Sequence, residues 1–83
     1  KRSSTNLSDL TLPDESRLVG VQVHDIAFPG DAVLVAIIRD GLPLTPERDR
    51  AFEGRDELLF VVTAESEADL AEMLADEPED SAP

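Results

Sequence analysis

The run Ala32-Val33-Leu34-Val35-Ala36-Ile37-Ile38-Arg39, closed by Asp40-Gly41, constrains the fold more than any other stretch. It is short, rich in β-branched residues and bounded by turn formers, which is the signature of a strand. Side chains alternate along a strand, so Val33, Val35 and Ile37 are expected on one face and Leu34, Ala36 and Ile38 on the other. Both faces are apolar, so both need cover. Leu58-Leu59-Phe60-Val61-Val62 repeats the pattern and predicts a second strand buried on both sides.

The chain has little to cover them with. Its 83 residues make one domain, and a chain of this size buries roughly 60–65% of its unfolded surface. There is no cysteine, hence no disulfide or thiolate–metal staple, which fits a reducing compartment. No run approaches the ~18 apolar residues of a membrane span. The first residue is Lys1 and no secretory leader follows it, so the chain reads as an excised piece of a longer, non-secreted protein.

Along the chain, Lys1 to Thr5 is a polar linker, residues 6–75 form the domain, and Asp76 to Pro83 is an acidic tail expected to be disordered. Thr5 to Leu12 predicts a partly exposed strand stopped by Pro13. After a turn at Pro13-Asp14-Glu15-Ser16, the spacing of Leu18, Val19, Val23 and Ile26 predicts a short helix, ended by Pro29-Gly30-Asp31. Asp40-Gly41 suits a two-residue hairpin turn, and Pro43 confines the return strand Leu42 to Thr45 to an edge. Pro46 to Arg50 reads as a charged loop and Ala51-Phe52 as a brief strand before a turn at Gly54. Ser66 is placed as the N-cap of a final helix carrying Leu70, Met73 and Leu74. Two short helices can roof one face of the sheet. A second copy, or another lobe of the parent protein, is therefore expected on the other.

Seven basic against nineteen acidic residues give a net charge of −12, which repels nucleic acid and anionic lipid. The four glycines stand alone at turns and make no phosphate loop. His24 is the only histidine, so no His–His metal pair exists, and adjacent helical residues do not face each other, which leaves Asp25 no ready role as its partner. His24 reads as a surface or interface residue. Ser16 lacks a neighbouring base. Asp14-Glu15, Asp56-Glu57 and Glu79-Asp80 lack the alternation of a calcium loop and read as solvated charge. Arg17, Arg39 and Arg55 are taken as their ion-pair partners, with phosphate contact the alternative for Arg39. Phe28 reads as core or interface packing. No catalytic or metal-binding residue emerges, and an enzyme is not expected.

The order of these segments resembles a known family. Ser16-Arg17-Leu18-Val19-Gly20, Val23-His24-Asp25-Ile26, Leu34-Val35-Ala36-Ile37-Ile38-Arg39-Asp40-Gly41, Pro46 and Asp56-Glu57-Leu58-Leu59-Phe60-Val61-Val62 are similar to the successive motifs of the TrkA C-terminal domain, or RCK C-terminal lobe. The resemblance runs from about Asn6 to Leu74. It implies an α+β fold, with a small, mostly antiparallel sheet and two helices on one face, that dimerises. It also implies a regulatory role, at the cytoplasmic face of the membrane, on a potassium channel, uptake system or cation/proton antiporter. Ligand-binding residues carried over by position are Ile26, Ala27, Phe28, Val33 and the loop ending at Pro46. Effectors in the family include cyclic di-AMP, and monovalent or divalent cations. The chain departs from the pattern twice. The junction Ala27 to Val33 lacks the basic residue and asparagine of the cyclic di-AMP binders, and Arg55 stands where a glycine usually precedes Asp56. The alternative reading is a purely structural dimerisation module without a ligand.

Overall fold

A computed structural model describes residues 5–75; the tail expected from Asp76 onward and most of the expected linker lie outside the described residues. Four strands and one helix form the domain: β1 (Thr5–Thr11), β2 (Val33–Arg39), β3 (Leu42–Leu44), β4 (Glu57–Thr63) and α1 (Ala64–Ala75). The strands lie in the order β1-β4-β2-β3, and every neighbouring pair is antiparallel. Thr5, the last residue of the expected linker, already belongs to the sheet.

The hairpin forms where Asp40-Gly41 demands it, with φ of 53° and 80° at its two central residues. Pro43 sits on the edge strand β3, where its missing N–H costs no ladder bond. β2 does not alternate simply. Leu34 pairs with Phe60 and Ala36 with Leu59, so Val35 is an extra, bulged residue. The bulge shifts the side-chain phase. Leu34 and Ile37 therefore share one face while Val33, Ala36 and Ile38 share the other, which corrects the expected grouping of Val33, Val35 and Ile37.

The core lies on one side of the sheet. Ile37, Leu58, Phe60 and Val62 project from that face and are buried with Leu12, Phe52, Leu70 and Leu74. Phe28 packs its ring edge-on to Phe60, centroids 5.0 Å apart, as expected for a packing residue. α1 crosses this face; polar bonds tie it to β1 through Glu67 and tie the loop before β2 to Thr63, the last residue of β4. Asn6 Nδ2 and Ser8 Oγ donate to the Glu67 carboxylate at 2.9 and 2.7 Å, and the Asp31 carboxylate accepts from the Thr63 N–H and hydroxyl.

Two local expectations are overturned. The helix expected from Leu18 to Ile26 is a single 3-10 turn, Val23–Asp25, within irregular backbone. β-Branched Val19, Val21 and Val23 and a Gly20 at φ +89° disfavour a helix here. The backbone instead bonds outward: Gly20 N–H donates to the Phe52 carbonyl at 2.8 Å, and Phe52 N–H to Val21 at 3.0 Å. The brief strand expected at Ala51-Phe52 is a pair of isolated bridges, Val19 to Phe52 and Gln22 to Ala51, in which Phe52 both accepts and donates. One helix, not two, therefore roofs the sheet. That helix also starts at Ala64, so Ser66 sits inside its first turn and is not its N-cap.

Candidate functional site

The face of the sheet turned away from α1 has no cover among the described residues. The register puts Leu7, Val61 and Val33 side by side across three strands, followed by a second row of Asp9, Leu59 and Ala36. Thr11, Glu57, Ile38 and Pro43 make the third. Leu7 is 65% exposed, Val33 56% and the bulged Val35 42%. Leu59 and Val61 are half-buried. The expectation of two fully buried ribbons is thus met on one side only.

The opposite corner is anchored by a buried acid. Asp56 is 1% exposed and grips Arg39 through two bonds, Nε to Oδ1 at 2.9 Å and Nη2 to Oδ2 at 2.8 Å. Arg39 also donates to Glu53 and to the Ala51 carbonyl, while the Glu53 N–H donates to Asp56. Bonding to the Asp56 carboxylate holds the Arg39 guanidinium pKa above its already high ordinary value. The ion-pair role expected for Arg39 holds, and its donors are directed to protein acceptors. The reading of Asp56 as solvated charge does not hold. Its partner lies 17 residues away, beyond the reach of any local pattern.

The five residues expected to bind a ligand divide between the two faces. Ile26 and Phe28 are half-buried against the core, while Ala27 between them is exposed. Pro46 opens the loop that receives the 3-10 turn: Val23 N–H donates to Arg50 at 3.0 Å and His24 N–H to Arg48 at 2.9 Å. Val33 belongs to the outer sheet face. The turn also brings His24 to its neighbours, with Nδ1 3.2 Å from Asp25 Oδ1 and Nε2 2.8 Å from Gln22 Oε1. The expectation that Asp25 could not meet His24 fails because a tight turn, not an α-helix, carries them. Among the described residues no group of three or more His, Asp or Glu is placed to hold a metal ion, and no helix is long and apolar enough to cross a membrane.

Leu7, Leu59 and Val61 were not singled out as site residues by sequence. The available signal was strand alternation: Leu7 and Asp9 share one face of β1, opposite the buried Ser8.

The TrkA-C domain profile matches residues 7–75. This chain belongs to the TrkA-C domain family. The chain is also 40% identical over 74 residues, 89% of its length, to the Trk system potassium uptake protein TrkA of Mycobacterium tuberculosis, in two strains. Those 74 residues are 34% of each relative, so the TrkA-C domain here spans about a third of the curated proteins it matches. A solved structure described as an RCK domain with cda superposes with a TM-score of 0.74 at 23% identity, covering 88% of this chain and 99% of the other. At that identity the likeness concerns the fold of the TrkA-C domain: a small antiparallel sheet with a helix on one face.

Proposed function

We propose that this TrkA-C domain is a regulatory lobe of a potassium-uptake system, non-catalytic and working at the cytoplasmic face of the membrane. It pairs with a second copy through the outer sheet face, and that pair biases a membrane potassium transporter. The observation that carries the reading is the uncovered Leu7–Val61–Val33 row. A bare apolar face is costly in water, at ~25 cal/mol per Å², and burying it supplies the drive for assembly. Regulation would be a shift between two arrangements of the pair, which requires an effector to favour one of them.

The candidate effector residues are Ile26, Ala27, Phe28 and Pro46, with Val33 apart from Ile26 and Phe28 on the outer sheet face. Their chemistry does not suit cyclic di-AMP. Ala27 to Val33 offers no cation to a dianion, and the −12 charge opposes one. Scanning fluorimetry against cyclic di-AMP, adenine nucleotides, K⁺, Na⁺ and Ca²⁺ tests the effector arm. A saturable rise in melting temperature with one of them supports ligand sensing. No shift with any at millimolar concentration leaves a dimerisation module.

A further inference from the structure

We infer that self-association of this domain responds to ionic strength, tightening as salt rises, because the face that drives it is small and its charge opposes it. The inference rests on the proposed pairing through the outer sheet face.

Area comes first. Seven-residue strands at about 3.4 Å per residue, spaced about 4.8 Å apart, give a flat face on the order of 400 Å². That is about half of the ~800 Å² per partner of a standard interface, and belongs with weak, transient pairs. A second copy is the occupant that the face fits. Its Leu7–Val61–Val33 row is apolar and continuous over three strands, and a two-fold axis sets the same row against itself with the sheets about 10 Å apart.

Charge then decides whether so small a face holds. Each copy carries −12, so every encounter brings like charges together. Two of these charges are on the face itself. Asp9 and Glu57 lie diagonally across the β1–β4 pair, on the side of Leu59 and Val61. The arginines whose ion pairs are described are turned inward or occupied elsewhere: Arg39 with Asp56 and Glu53, Arg50 with Glu47, Arg55 with Asp14. A two-fold pair gathers both copies' Asp9 and Glu57 into one seam. Such repulsion acts over a screening length of about 10 Å at 0.1 M salt and about 3 Å at 1 M, so salt removes it while leaving apolar burial in place. The pairing is therefore weakest in dilute solution and strengthens as the solution concentrates, the direction needed of a part that reports ionic content.

Sedimentation equilibrium of the 83-residue chain tests this, in matched series of KCl, NaCl and tetramethylammonium chloride from 50 to 500 mM. The dimer Kd is expected to fall by on the order of tenfold or more in all three salts. The double variant Asp9→Asn/Glu57→Gln, checked for wild-type circular dichroism, is expected to dimerise several-fold more tightly at 50 mM and to respond less steeply to salt. A dimer whose Kd is flat or rises with salt overturns the inference and leaves the pairing standing. Tightening by KCl alone overturns it in favour of a specific K⁺ site. A double variant identical to wild type at 50 mM also overturns it, since the charges would not be in the seam. A monomer in every salt at high micromolar concentration overturns the pairing itself.

Discussion

Arg39 and Asp56 face each other with two parallel hydrogen bonds of 2.9 and 2.8 Å, linking the end of β2 to the turn before β4. The carboxylate is buried and also accepts the Glu53 N–H, so its loss takes the acceptor from both Arg39 Nε and that N–H, leaving Arg39 with Glu53 and the Ala51 carbonyl. Truncating one partner of such a buried pair costs about 3 kcal/mol or more. Asp56→Ala is therefore expected to lower the unfolding free energy by about 3 kcal/mol in urea titration, and Arg39→Lys by less, because one bond of the fork survives. A loss below about 1 kcal/mol in Asp56→Ala would mean that the pair is exposed in solution.

Arg55 occupies a position that favours glycine. Its φ is +71°, while at Gly54, one place earlier, an added Cβ would lie a tight 3.0 Å from the Asp14 Cα. A non-glycine residue in the left-handed region costs roughly 1–2 kcal/mol, partly offset by the greater freedom of glycine in the unfolded chain. The Arg55–Asp14 ion pair at 3.7 Å is exposed and adds little. Arg55→Gly is expected to raise stability by ~0.5–1 kcal/mol, seen as a melting point a few degrees higher. An unchanged or lower melting point would contradict the strain assigned here.

Gly30 makes the same argument in reverse. At φ +57° it packs against α1 so closely that a Cβ would overlap Ser66 Oγ. Gly30→Ala is expected to cost about 2 kcal/mol, through strain plus displacement of the helix start. Adding Ser66→Gly should recover part of that loss in calorimetry. No recovery would show that the contact is not what sets the cost.

Acid should loosen the helix before the sheet. The Glu67 pKa is lowered, chiefly by the Ser8 hydroxyl and then by Asn6, and that of Asp31 is lowered chiefly by the Thr63 backbone N–H. A carboxylate depressed in the folded state binds fewer protons there than in the unfolded chain. Its stabilising effect is thus complete above the ordinary carboxylate range of about 4 and is lost as pH falls through the depressed value. Helical circular dichroism followed from pH 6 to pH 2 should fall below about pH 4, and Glu67→Gln should flatten that fall. Equal acid sensitivity in Glu67→Gln and wild type would remove Glu67 from the account.

The strands and the hairpin were legible in the sequence because their signals are local. Asp40-Gly41 requires positive φ wherever it turns, and Leu58 to Val62 is apolar whatever lies beside it. The bulge at Val35 was not legible, since it exists only in the register of β2 against β4. The segment around Val19 to Val23 misled because helical spacing is one use of its apolar residues. Its backbone bonds to Arg50 and Phe52, a tertiary choice that spacing alone does not record. At the candidate site, the apolar character of Val33 was visible, but Leu7 and Val61 join it only once three strands are laid side by side.

The central claim is that the outer sheet face is buried against a second copy of the chain. Sedimentation velocity at 100 µM protein in 0.3 M KCl tests it most directly, comparing wild type with Val33→Asp. The account predicts a wild-type particle of twice the 9.0 kDa chain mass, and a folded Val33→Asp variant at the chain mass itself. A wild-type monomer, or a Val33→Asp variant that stays fully dimeric, would contradict it.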